Sequence, residues 1–260
     1  MLKIKSISKS FQEDFWKKPV KVLDKLDLAI SEEKITGFVG KNGSGKTTSI
    51  KIMLGICKPD SGEIVYSTKL GHGRKQIFQN IGYLPENPRF FENLHGKSFL
   101  RYMAGLHGIN PSTFSKRVNE LAEILELTGA LDKKIGKYSK GMRQKIGFIA
   151  SIIHQPKLVI LDEPLSGLDP KSRRIFKDIF KKVQSDGTSI LLTSHILEDL
   201  FEVCDEIAHI KNGKIELKSF STDNNARLVV ELNSKPGFMD DSELIRSRKI
   251  SGSKIVLEID

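Results

Sequence analysis

The chain has 260 residues, 38% of them apolar and 28% charged, a balance that suits one large globular domain or a domain with a small appendage. Its longest apolar stretch, Phe148 to Ile153, is far too short to cross a bilayer as a helix. The net charge of +10 fits nucleic acid, an acidic membrane surface or plain solubility, and because its lysines are scattered along the whole chain without interleaved aromatics, solvated faces are the favoured reading.

Leu2 and Ile4 alternate with lysines, so residues 2–7 are expected to form a strand and no signal peptide is expected at the start. A second alternating pattern predicts a strand over 20–30. Between them lies a polar and aromatic loop from Phe11 to Trp16. An aromatic ring there suits stacking on an adenine or covering the core, and the spacing leaves both readings open.

Ile35 to Val39 is a short apolar run readable as a buried strand. Gly40-Lys41-Asn42-Gly43-Ser44-Gly45-Lys46-Thr47 follows and fits G-x-x-x-x-G-K-[ST]. Ile50, Met53 and Leu54 then mark a helix face. Strand, glycine loop and helix stand in the order a phosphate-binding loop requires. The glycines let backbone N–H groups converge on a polyphosphate, and the helix N-terminus adds partial positive charge. Lys46 is placed for the β- and γ-phosphates and the Thr47 hydroxyl for Mg²⁺.

Gly55 to Gly62 reads as a turn and Ile64 to Tyr66 as a short strand. Pro85-Glu86-Asn87-Pro88 is a loop, because neither proline fits an element interior. Arg89-Phe90-Phe91 follows, and its adjacent rings are expected either to pack in a helical lobe or to stand exposed for a partner. From about 92 to 153 the period turns helical. Phe99, Tyr102, Met103 and Leu106 form one stripe, and Phe114, Val118, Leu121 and Leu125 a second that opens at Asn110-Pro111. A third helix opens at Tyr138 to Met142 with Ile146, Ile149 and Ile153 on its face.

Leu158-Val159-Ile160-Leu161 is continuously apolar, which predicts a parallel strand buried on both faces, and it delivers Asp162 and Glu163 to its carboxyl end. One carboxylate suits Mg²⁺ and the other suits orienting or deprotonating a water. Ser166-Gly167-Leu168-Asp169-Pro170 is a loop ending in an N-cap and an N1 proline. Thr188 to Ser194 is another buried strand, with His195 just past its end. Histidines 72, 95, 107, 154 and 209 have no partner at motif spacing and read as structural or exposed. Asn212-Gly213 predicts a type I′ hairpin between apolar runs. Residues 219–226 read as a linker, and 227–260 as a small extension with strand-like runs at 228–232 and 255–259. Cys57 and Cys204, isolated, read as buried thiols of a reducing compartment.

Taken in order, the glycine loop, the proline-flanked Glu loop, the Ser-x-Gly helix start, the Asp-Glu strand tip and the strand-tip His resemble the ATP-binding cassette (ABC) ATPase subunits of transporters, over about residues 1–218. The resemblance implies an α/β fold: a P-loop NTPase core with an antiparallel β subdomain and a helical subdomain at about 87–153. It implies Walker A at Gly40 to Thr47 with Thr48 beside it, and Walker B at Leu158 to Glu163, with Glu163 and His195 catalytic. Ser139, Lys140, Gly141 and Met142 look like the signature that covers a partner subunit's ATP, and Ser166, Gly167, Leu168 and Asp169 like the D-loop. Phe11 lies where the family places its adenine-stacking aromatic, with Trp16 as competitor. Thr47, Asp162 and Glu86 would hold Mg²⁺. Lys140 and Met142 replace the usual Gly and Gln of the signature, Tyr138 its Leu, and Glu86 a usual Gln. Those departures are similar to exporter ATPases whose membrane subunit is a separate chain. The resemblance therefore implies ATP and Mg²⁺ as cofactors, a homodimer or heterodimer of ATPase subunits, a transmembrane permease partner, and a place on the cytoplasmic face of the cell membrane. A nucleic-acid- or ribosome-linked ATPase of the same superfamily is the rival, but neither a second cassette nor a long coiled-coil insertion is present. A small GTPase is disfavoured, because no Asn-Lys-x-Asp motif occurs.

Overall fold

A computed structural model of the chain describes residues 1–12, 14–221, 227–232, 245–251 and 254–259. They fall into two compact units. One comprises Met1 and Ser67–Leu192, the other Leu2–Tyr66 and Thr193–Asp260.

The second unit opens with β1 (Leu2–Phe11) and β2 (Val20–Ile30), an antiparallel pair in register from Leu2 against Ile30 to Phe11 against Val20. Phe11 therefore ends a strand and does not belong to the expected loop. Alternation buries Leu2, Ile4, Leu26 and Leu28 and leaves Lys3 and Lys5 in water, as a one-sided antiparallel sheet requires. Next come β3 (Ile35–Val39), wholly buried, α1 (Lys46–Met53) and β4 (Ser61–Tyr66), which pairs with β1 to complete a three-stranded sheet.

The other unit begins with α2 (Arg74–Gln79) and β5 (Ile81–Leu84). Its helices are α3 (Gly96–Leu106), α4 (Pro111–Ile124) and α5 (Lys140–Ile152). Asn110 caps α4 as expected, its side chain accepting from the Thr113 amide at 2.9 Å. The expected stripe on α3 is displaced. Phe99 is buried as expected, but Tyr102 and Leu106 are exposed, and Leu100 and Ala104 join Phe99 on the buried face. The apolar residues of α3 cover about half of its circumference, wider than the face it buries, so spacing alone selected a stripe rotated from the real one. After β6 (Leu158–Leu161) come α6 (Pro170–Ser185) and β7 (Ser189–Ser194). β5, β6 and β7 pair in parallel with β6 between its neighbours, which accounts for its uninterrupted apolar sequence. Phe148 of α5 packs against Phe176 and Phe180 of α6 with ring centroids 5.3 and 5.5 Å away.

Back in the second unit, α7 (Leu197–Phe201) leads to β8 (Glu206–Lys211), parallel to β3. The Glu206 carboxylate is buried at the start of β8 and satisfied there by the Ser31 hydroxyl at 2.9 Å and the Lys34 ammonium at 3.0 Å. Asn212 and Gly213 both have positive φ, as the expected hairpin demands, and connect β8 to β9 (Lys214–Ser221). β9 runs through 219–221, so those residues are strand and not linker. The other expected linker residues, 222–226, lie outside the described residues. β10 (Arg227–Leu232), β11 (Ile245–Ser251) and β12 (Lys254–Ile259) extend β9 as antiparallel strands in the order β9-β10-β12-β11. β11 was not anticipated, because Arg and Ser at 246–248 break its apolar run. Of the two thiols, Cys204 is buried, but Cys57 is only half-buried.

Candidate functional site

The site residues rest on loops between these elements, and each unit carries its own set. In the second unit the chain leaves β3 and turns through Gly40–Gly45 into α1. Gly45 stands just before the first helical turn with φ +108, and a Cβ there would come 2.5 Å from Cδ2 of Leu23. At Gly40 a Cβ would lie 2.5 Å from the Ile210 carbonyl oxygen and 2.6 Å from Ser44 Oγ. Close packing on β2 and β8 thus demands glycine there before any ligand is considered. Lys46 is buried, and its ammonium donates to the carbonyl of Gly40 and, at 3.4 Å, to that of Lys41. An ammonium placed at a glycine loop suits a polyphosphate, whose oxygens accept charge-assisted hydrogen bonds. Ser44 Oγ is buried and lacks a hydrogen-bond partner among the described residues. A buried polar atom of that kind inside a loop of this shape fits an anion's oxygens. Lys41, Asn42, Gly43 and Thr47 are exposed and Thr48 half-buried, so the loop is open to a ligand.

Phe11 is paired opposite Val20, two residues from Val22, whose carbonyl lies 3.2 Å from the Cβ position of Gly45. Along the strand that separation is roughly 7 Å. Phe11 is 44% exposed, with the Lys9 ammonium 5.4 Å from its ring centroid. Trp16 sits farther out in the β1–β2 loop and is 69% exposed. His195 is exposed directly after β7, where Ser194 Oγ accepts from the Ile196 amide at 2.9 Å.

In the other unit, β6 delivers Asp162 and Glu163, 1% and 7% exposed. The Asp162 N–H donates to the Leu84 carbonyl at 2.8 Å, which ties the tip of β6 to the tip of β5. Pro85 and the exposed Glu86 follow directly, so the proline loop springs from beside the acidic pair. Burial, with the Asp162 charge adding to it, pushes the Tyr83 phenol up to about 12. Glu163 has φ +49, a left-handed conformation sparsely populated outside glycine, and its carbonyl accepts from the Ser166 amide at 3.1 Å. Buried Leu165 and Leu168 anchor the segment that carries Ser166 and Gly167. Asp169 ends it as the cap of α6, accepting from the Ser172 amide at 2.9 Å and hydroxyl at 2.7 Å, bonds that hold its carboxyl below the usual range.

Ser139 caps α5, its Oγ accepting from the Met142 amide at 3.2 Å. Ser139 and Lys140 are exposed at the positive end of that helix. The Lys140 ammonium reaches across to Gly167, 2.8 Å from where that glycine would bear a Cβ, and Gly141 lies 3.4 Å by the same measure from Leu168. Tyr138 is buried, and its hydroxyl donates to the Ala130 carbonyl at 2.6 Å. That ring needs a glycine at 96, where a Cβ would fall 2.1 Å from the hydroxyl. No sequence pattern signalled the Tyr138–Gly96 fit, the Lys140–Gly167 contact or the left-handed Glu163, because each depends on residues distant in sequence or on backbone dihedrals.

The family model described as ABC transporter matches residues 23–166, more than half of the chain. The chain belongs to the ABC transporter family. A curated relative, an ABC transporter ATP-binding protein of Nostoc sp., is 37% identical over 213 residues, 80% of this chain and 63% of that one. A second relative, the bacitracin transport ATP-binding protein BcrA of Bacillus licheniformis, is 35% identical over 75% of this chain and 63% of its own length. The chain thus spans 63% of the length of each of these two relatives. A solved dimeric bacterial ABC transporter cassette matches with a TM-score of 0.75 and 21% identity, covering 86% of this chain and all of the other. At that identity the match speaks for the fold alone.

Proposed function

We propose that this ABC protein binds ATP on Gly40–Thr48, hydrolyses it with Glu163 as general base, and drives a transporter whose membrane-spanning part is a separate chain. Two observations carry the reading: in one unit a buried lysine lies under a glycine loop, and in the other two buried carboxylates stand at the end of a fully buried strand. Lys46 and the loop amides hold the β- and γ-phosphates. Phe11, on the strand beside the loop, stacks on the adenine. Glu163 accepts a proton from the attacking water, and His195 orients the γ-phosphate end. Thr47 and Asp162, with Glu86 in the neighbouring loop, are the residues that would hold Mg²⁺, since an exposed hydroxyl, a buried carboxylate and phosphate oxygens suit a hard cation. When bound, the ion offsets charge on the phosphates.

The exposed Ser139 and Lys140 at the start of α5 suit the phosphates of a nucleotide held by a second ATPase subunit, which makes the working form a homodimer or heterodimer. Among the described residues no helix is long and apolar enough to cross a membrane. Attachment to the cytoplasmic face through a permease chain follows from the proposed role. Phe91, 63% exposed beside the Glu86 loop, belongs to the docking surface for that chain. Residues 1–218 are the ATPase domain, with the helical subdomain at about 87–153, and residues 227–260 are an extension outside the nucleotide chemistry.

The test is Glu163→Gln in the full chain. It should retain ATP binding and lose on the order of 10²–10⁴-fold in turnover, the range for a general base. Turnover at the wild-type rate would move the role to another residue.

A further inference from the structure

We propose that Gln144 is a positioning residue, its side-chain amide an interior latch that holds the Pro85–Pro88 loop, and with it Glu86, during turnover. The inference rests on the nucleotide chemistry proposed above. Gln144 is 1% exposed on α5, and neither its Nε2 nor its Oε1 has a hydrogen-bond partner among the described residues. A primary amide carries two donors and an acceptor, and keeping all of them dry and unpaired is costly. A leucine or methionine would fill the same space without that cost, so packing alone gives no reason for an amide there.

Packing shows what the amide faces. α5 runs antiparallel across β5. The Ser151 carbonyl closes on Gly82, and the Cβ position of Gly147 lies 2.7 Å from Leu84 Cδ1 and 3.7 Å from Pro88 Cβ. From Ser151 to Gly147 the helix advances about 6 Å, and from Gly82 to Leu84 the strand advances about as far. Gln144 is three residues further along the same face, so it stands past the end of β5, level with Pro85 and Glu86. The loop there offers the complementary groups. No hydrogen bond ties Glu86 or Asn87, by backbone or side chain, to another described residue. Peptide N–H and C=O groups are thus open on one side, and the acceptor and donors of an amide on the other. The prolines at 85 and 88 fix φ at both ends of the loop, so pairing one peptide with the amide is enough to set where Glu86 points. The loop closes on Gln144 as Glu86 engages the bound nucleotide.

Gln144→Met and Gln144→Leu in the full chain test the latch by two readouts of opposite sign. Without nucleotide, the thermal unfolding midpoint of at least one variant should equal or exceed that of the unaltered chain, because an unpaired buried amide has been removed. In that variant kcat for ATP should fall roughly ten-fold, while KM changes by about two-fold or less. In a Glu86→Ala background the same substitution should lower kcat no further, because the latch acts through Glu86. A lowered midpoint in both variants would show that the amide is already satisfied in the folded chain and overturns the proposal. An unchanged kcat overturns it too, as does a loss that persists in the Glu86→Ala background. Turnover that Glu163→Gln abolishes is the control. If the control holds and the Gln144 variants behave otherwise than expected, only the latch is wrong. If the control fails, the nucleotide reading is wrong and the latch falls with it.

Discussion

The Lys140 ammonium lies 2.8 Å from the point where Gly167 would carry a Cβ. A lysine in the first turn of α5 thus folds over the loop that leads into α6, and Gly167, at φ +71, supplies both the space and the dihedral. The two effects separate in a double-mutant cycle. Gly167→Ala should cost about 1–2 kcal/mol in urea unfolding, the price of a left-handed alanine. In a Lys140→Ala background most of that loss should remain, because a lysine end moves aside cheaply. Full recovery in that background would show that contact, and not the dihedral, imposes the glycine.

His154 should make the chain acid-sensitive. It stacks on His107 with centroids 3.8 Å apart, and burial, then the neighbouring His107 and Arg117, lower its pKa to about 4. In the unfolded chain the group titrates near 6.5. Between those values the unfolded chain binds more protons, so stability is complete above about 6.5 and falls as pH drops toward 4. His154 is only half-buried, so the loss is discounted to on the order of 1–2 kcal/mol. His154→Gln should flatten the slope of unfolding free energy over that window, and an unaltered slope would place the acid sensitivity elsewhere.

Phe90 and Phe91 should behave oppositely. Phe90 is half-buried, edge to face with Phe99 at 5.2 Å, whereas Phe91 is exposed beside Tyr102. Phe90→Ala should destabilise by about 2–3 kcal/mol, below the full cost of a core Phe. Phe91→Ser should leave both stability and basal ATP hydrolysis intact and weaken co-purification with the membrane chain. If Phe91→Ser melts early, its ring is core and the docking surface lies elsewhere.

Blocking hydrolysis should trap the subunit pair. Glu163→Gln is expected to run as a dimer on a sizing column with Mg·ATP and as a monomer without it, and adding Ser139→Arg should abolish the shift. A monomer under both conditions at high protein concentration counts against completion of one subunit's site by the other.

Much of this was legible without coordinates because it rests on local rules. The glycine spacing at 40–45, the apolar run at 158–161 that demanded a doubly covered parallel strand, the caps at Asn110 and Asp169, and the Asn212-Gly213 turn are each set by residues within a few positions of one another. What escaped required partners distant in sequence. The buried face of α3 could not be chosen from its own residues, since Tyr102 and Leu106 are as apolar as Phe99 and only packing against α4 and α5 separates them. Phe90 and Phe91 are identical in sequence terms and differ by what α3 and α5 offer. The left-handed Glu163 and the lysine folded over Gly167 are properties of a closed chain, because dihedral strain and side-chain contact exist only once the elements on either side are held in place.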